Sequence, residues 1–251
     1  SSATHHGVAF VNGEKVAEHR GGYLPFEAEI SSLVKLGQPN RVTLIVNNVL
    51  DMSTLPPGIV KKVASEHLQP GYTTQEYFHD FFNYAGLHRP VKIYCTPKTY
   101  VSDLTVVTDV KGTDGIVKYQ VKIDGGTAKT KVRLLDEAGA CVAEGDSADG
   151  TLTVRNAKLW NPGKAYLYTM EVQALAPDGK PIDIYREPIG IRTVRVTDKQ
   201  FFINDKPFYF RGFGKHEDID VKGKGLDEAM NVKDFNLLKW LGANSFRTSH
   251  Y

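Results

Sequence analysis

The stretch from Phe201 to Tyr251 constrains this chain more than any other. Phe208, Tyr209 and Phe210 form a short aromatic run suited to a buried strand, and Gly212 and Gly214 interrupt it just before the polar cluster Lys215-His216-Glu217-Asp218. From about Asp227 to Leu241 the pattern turns helical: Val232, Phe235, Leu238 and Leu241 recur every third residue among the polar Lys233, Asp234, Asn236 and Lys239. Gly242 stands where a left-handed cap would end that helix. Ala243 to Phe246 resumes as a strand, followed by Arg247-Thr248-Ser249-His250-Tyr251. Strand, helix, strand predicts a parallel crossover unit, because parallel neighbours need a long connection. Ligands of such units bind at the carboxyl ends of the strands. Both polar clusters follow a strand, so both are expected on one rim. Two readings stay open for them here: a site, or a charged surface loop beside a strand end with a core histidine.

One crossover unit leaves its sheet edges open and half its helix uncovered, so the chain is expected to stop inside a third domain. Ser1 to His6 run straight into a strand pattern, so it is expected to begin inside its first domain as well. The net charge of +2 is spread along the sequence and gives no basic footprint for nucleic acid or an anionic membrane. The apolar runs are too short to span a bilayer, and no feature assigns a compartment. Cys95 and Cys141, the two cysteines, make no metal pattern and no disulfide framework, and are expected as buried small apolar residues. No metal or other cofactor is implied.

From Gly7 the chain reads as short strands. Val8 to Val11 and Lys15 to His19 flank Asn12-Gly13, a hairpin turn signal. Alternation from Phe26 to Ile30 and from Arg41 to Asn48 predicts two more strands, and short strands at this spacing argue an antiparallel sandwich or jelly roll. Met52 to Pro57 and Val63 to Thr74 read as irregular loop. The densest aromatic cluster follows, Tyr77 to Arg89, with five aromatic rings around Asp80. Ring faces lie against the C–H faces of sugars, and a carboxylate accepts from two adjacent hydroxyls. The alternative is a packed core segment in which Asp80 caps a turn. A carboxylate in so apolar a run needs a partner, which favours a site.

A second all-β region follows Val91. Runs at Leu104 to Thr108, Gly115 to Ile123, Lys129 to Leu135, Thr151 to Val154, Leu167 to Leu175 and Ile189 to Val196, punctuated by glycine turns, predict an immunoglobulin-like sandwich. Trp160 is expected in its core, and no chemistry is visible in it. Its expected role is a spacer.

Leu159-Trp160-Asn161-Pro162, Gly190-Ile191-Arg192 with Phe202 to Pro207, Arg211 to Glu217, and Asn244 to Tyr251 together resemble family 2 glycoside hydrolases. Phe78 to Arg89 and Phe213 to Asp218 resemble the β-glucuronidases of that family rather than its β-galactosidases or β-mannosidases. The resemblance implies a mainly β architecture: a jelly-roll sugar-binding domain over 1–97, an immunoglobulin-like β-sandwich over 98–196, and from 197 to 251 the first βαβ unit of a truncated (β/α)8 barrel. It implies retaining hydrolysis of terminal β-D-glucuronic acid from glucuronides, small molecules or glycans, by two Glu outside this chain, so no catalytic residue is expected here and the stretch alone is expected to be inactive. Carried over by position, Asp80 would hold sugar hydroxyls and His216 would contact the sugar at the barrel rim. Arg247 and His250 would line the floor. Glu217 receives no catalytic role. Family analogy also implies a homo-oligomer, a tetramer. Another family 2 specificity, or a non-catalytic carbohydrate-binding β-sandwich, are the alternatives; the crossover unit speaks against the second.

Overall fold

The computed structural model describes residues 2–79 and 82–248. The first segment contributes β1 (Ala3–Thr4), β2 (His6–Val11), β3 (Glu14–Arg20), β4 (Val42–Asn47), β5 (Gly58–Lys62), β6 (Thr73–Tyr77) and β7 (Gly86–Leu87). All of their pairings are antiparallel: β3-β2-β4, β5-β6 and β1-β7. Asn12 and Gly13 join β2 to β3 with φ of 50° and 94°, the double positive φ that a tight hairpin turn requires. The strand expected at Phe26 to Ile30 does not form. The backbone instead turns at Ile30, whose carbonyl accepts from the Leu33 and Val34 N–H groups at 2.9 and 3.2 Å. Phe26 stacks on His19 with ring centroids 5.3 Å apart.

The second segment carries β8 (Tyr100–Lys111), β9 (Asp114–Asp124), β10 (Lys129–Leu135), β11 (Cys141–Gly145), β12 (Asp149–Val154), β13 (Tyr168–Leu175) and β14 (Pro181–Ile189). They form a four-stranded sheet, β11-β10-β13-β14, and a three-stranded one, β12-β9-β8. This is the four-plus-three arrangement of an immunoglobulin-like sandwich. Inward-facing Val117, Val132, Leu134, Met170, Val172 and Ile191 are fully buried in one core. Glu171, directly between Arg133 and Arg186 in register, is a buried charged residue of this sheet, between the inward-facing Met170 and Val172. Burial works against its charge, but hydrogen bonds from Gln173 and Arg186 outweigh it and hold the carboxyl below its ordinary range.

Three expectations are corrected here. Cys95 and Cys141 are exposed: Cys141 opens the edge strand β11, and Cys95 lies in irregular backbone. Trp160 is half-buried at the margin of the core, its ring covered by the Arg192 guanidinium at 4.5 Å. The run from Ile189 to Val196 divides, because β14 ends at Ile189 and the next strand joins another sheet.

That sheet is an antiparallel ribbon of β15 (Val194–Val196), β16 (Phe201–Ile203) and β17 (Lys206–Phe208). Phe208 to Phe210 is therefore not the buried strand that precedes the crossover. Tyr209 is 81% exposed, and Phe210 leaves the ribbon to pack edge-on against Phe201 and Phe208 at 4.9 and 5.0 Å. The crossover starts one step later, with β18 (Gly212–Lys215), α1 (Glu228–Trp240) and β19 (Ser245–Thr248). The two glycines thus belong to the strand they were expected to break. A Cβ on Gly212 would lie 2.1 Å from the Ser245 carbonyl oxygen, so only glycine permits this backbone approach. β18 and β19 are sheet neighbours. Asp227 caps α1 by accepting from the Met230 N–H at 3.0 Å, and Gly242 follows with φ 74°. No residue of α1 is buried, since two strands cannot cover its apolar face.

The fold is mainly β. It clusters into two compact units: Ser1–Lys92 with Phe213–Leu241 and Phe246–Tyr251, and Ile93–Gly212 with Gly242–Ser245. Among the described residues no helix is long and apolar enough to cross a membrane.

Candidate functional site

The loop from β18 to α1 carries the polar cluster, and the strand and helix around it explain its path. Lys215, the last residue of β18, reaches the Asp234 carboxylate on α1 at 2.9 Å. His216 begins the loop with its side chain 39% exposed, and its Nδ1 stands 3.7 Å from Asp218 Oδ2. The next residues are held by the first segment. Glu217 is ion-paired with Arg89. Asp218 is hydrogen-bonded to Tyr84, whose hydroxyl is pushed up to about 12 by burial first and by this carboxylate second. Arg89 Nη1 also donates to the carbonyls of His88 and Lys224, each at 3.1 Å, and the Leu226 N–H donates to the His88 carbonyl at 3.3 Å.

Lys224 is the least expected member. It is 1% exposed, and its ammonium donates to the Tyr23 hydroxyl at 3.1 Å. Burial lowers its pKa, while the carboxylates of Asp218 and Glu217 oppose that and stabilise the charge. The same burial, with the same two carboxylates, raises Tyr23 to about 12. Ile219 and Gly223 exchange two backbone hydrogen bonds of 2.9 Å and close the loop on itself. Gly223 has φ 52°, and a Cβ there would meet the Tyr84 ring at 2.5 Å; both facts require glycine. Beside this cluster the ring nitrogens of two buried histidines are bonded within the first segment: Thr4 Oγ1 to His88 Nε2 at 3.0 Å, and His5 Nε2 to Asn83 Oδ1 at 2.6 Å.

Of the residues named from sequence, His216 stands just past the end of β18, and Arg247 is an exposed residue of its sheet neighbour β19. Asp80 and His250 lie outside the described residues. Glu217, which received no catalytic role from the sequence, is engaged with Arg89. Tyr23, Tyr84, Arg89 and Lys224 were not singled out from sequence. Arg89 closes the aromatic run and Tyr84 lies within it, so that run held a signal for both. Lys224 sits between Gly223 and Gly225, a context that ordinarily marks a solvated turn. Among the described residues no cluster of three or more His, Cys, Asp or Glu could hold a metal ion.

Three family models tile the chain: "Glycosyl hydrolases family 2, sugar binding domain" over residues 1–97, "Glycosyl hydrolases family 2" over 99–192, and "Glycosyl hydrolases family 2, TIM barrel domain" over 194–251. The chain belongs to glycosyl hydrolases family 2. The β18-α1-β19 unit is thus the start of that family's barrel, and β8 to β14 its immunoglobulin-like sandwich. Relatives named β-glucuronidase align with all of the chain: that of Paenibacillus borealis is 56% identical over 250 residues, and that of Homo sapiens 50% identical over 262. The chain spans 42% and 40% of their lengths. The solved β-D-glucuronidase of Dictyoglomus thermophilum superposes with a TM-score of 0.94 at 52% identity, covering all of this chain and 43% of that one. The Ruminococcus gnavus β-glucuronidase in complex with D-glucuronic acid superposes with a TM-score of 0.90 at 41% identity, covering all of this chain and 42% of that one.

Proposed function

We propose that this family 2 chain forms part of a retaining β-glucuronidase, which removes terminal β-D-glucuronic acid from glucuronides. The observation that carries this reading is identity of 50–56% to relatives of that name along the whole chain, not in one module alone. In a retaining enzyme one carboxylic acid protonates the leaving oxygen, and a second carboxylate about 5 Å away attacks the anomeric carbon. Neither Glu is assigned to a residue of this chain, which spans 42% and 40% of the lengths of two relatives of that name. What this chain's residues supply is binding and orientation. Asp80 accepts from sugar hydroxyls, and His216 meets the sugar from the end of β18. Arg247 and His250 shape the floor beneath it. The three-domain division at 97/98 and 196/197, and assembly into a homotetramer, belong to the same proposal.

Asp80 gives the direct test of this division of labour. In the complete polypeptide, Asp80→Ala is expected to lower release of aglycone from an aryl β-glucuronide by more than about tenfold, as loss of a charge-assisted hydrogen bond to the sugar requires. A variant that turns over at the parent rate would remove Asp80 from the site.

A further inference from the structure

Arg89 makes more bonds to the β18–α1 loop than any function proposed above requires of it. Its guanidinium pairs with Glu217 and holds the Lys224 carbonyl, while the neighbouring His88 carbonyl takes the Leu226 N–H. Both ends of the segment 217–226 are thereby tied to two consecutive residues of the first segment. The first tie falls on the residue directly after His216. The ion pair is about three-quarters shielded on both sides, with each side chain 28% exposed, so water competes with it only weakly. Two further bonds back it up, Asp218 to Tyr84 and Lys224 to Tyr23. A planar fork with several fixed donors can hold a carboxylate and a carbonyl together, which a lysine cannot.

We propose that Arg89 is a positioning residue for His216: its guanidinium fixes the backbone just after the imidazole and so sets the direction from which His216 meets the sugar. The proposal rests on the glucuronidase reading for the identity of the sugar, but the ordering of the loop by Arg89 does not. His216 is placed by its own strand on one side and by this pair on the other. Displacing such a group by about 1 Å is enough to lower a rate on the order of 100-fold.

The test is made on the complete polypeptide. Hydrogen–deuterium exchange reads residues 216–226 directly, and kcat and KM for an aryl β-glucuronide read the placement of the imidazole. Arg89→Ala is expected to speed exchange in that segment by about tenfold or more while the β2–β3 hairpin is unchanged. It is also expected to lower kcat/KM on the order of 10- to 100-fold. In a His216→Ala background the same substitution is expected to have less than about a twofold further effect, because groups acting as one unit are not additive. Arg89→Lys, which keeps the charge and loses the fork, is expected to fall between. Unchanged exchange, or losses that multiply in the double variant, would overturn the proposal. If Arg89→Ala does not fold, Glu217→Gln removes the charge at constant shape and is read by the same two outcomes. If the parent protein cleaves no glucuronide, the glucuronidase reading fails, and the exchange measurement alone decides whether Arg89 orders the loop.

Discussion

His216 differs from its neighbours in what holds it. Glu217 and Asp218 are committed to Arg89 and Tyr84, whereas the imidazole of His216 is 39% exposed beside Asp218. His216→Ala is therefore expected to lower glucuronide turnover by about tenfold or more and to change stability by less than about 0.5 kcal/mol, the range of surface substitutions. Thermal unfolding beside the kinetic assay checks both, and a cooperative loss of structure would make His216 a core residue instead. His5 and His88 behave differently because they are buried. Burial holds both below their ordinary value of 6.5. At His88 the charges of Lys224 and Arg89 add to this, with Glu217 opposing; at His5 the Asn83 hydrogen bond and Asp51 oppose it. The unfolded chain protonates first, so their contribution to stability is complete above pH about 6.5 and is lost as pH falls through the depressed folded values. Urea midpoints between pH about 7.5 and about 5 are expected to fall, and less so in His88→Gln; a flat profile would contradict their neutral burial. His216 does follow a strand, but the strand is β18 and not the Phe208 to Phe210 run read from the pattern, and its proposed contact with the sugar comes from the family resemblance. The burial of Lys224 could not be read from sequence, since it depends on Tyr23, some two hundred residues away in the chain, as partner.

The elements follow local chemistry where that chemistry is sufficient. Asn12-Gly13 and the bounds of α1 could be read because turn and cap residues act within a few positions of themselves. Phe26 to Ile30 misled, since alternation states a preference for a sheet but names no partner: Phe26 is taken up by stacking on His19, and a turn begins at Ile30. The run at Phe208 to Phe210 misled for a related reason: apolarity does not distinguish a strand from a ring cluster, and the crossover strand itself carries two glycines. Asp227 offers a measurable case. It caps α1 through Met230 and also pairs with Lys222 at 2.6 Å. Asp227→Ala is expected to destabilise by about 1 kcal/mol, most of it from the cap, while Asp227→Asn recovers most of that. Equal losses in the two variants by chemical denaturation would assign the effect to the ion pair.

At the scale of the whole molecule the sequence was most informative, because the order of modules needs only the spacing of strands, glycine turns and one helix. The immunoglobulin-like sandwich emerges with seven strands, five of them (β8, β9, β10, β12 and β13) on runs read from the sequence, while β11 and β14 were not read; the strand, helix, strand order of the last fifty or so residues is the barrel's opening. Specificity is less visible at this scale, since sugar choice rests on a handful of side chains, and two of the residues proposed for the site, Asp80 and His250, lie outside the described residues. The most direct measurement is therefore comparative: the complete polypeptide is assayed with one aryl aglycone attached to β-D-glucuronate, β-D-galactose or β-D-mannose. A kcat/KM for the glucuronide higher by about 100-fold or more is expected, the discrimination that recognition of a charged substituent provides. Faster cleavage of the galactoside or mannoside, or release of aglycone from none of the three, would contradict it.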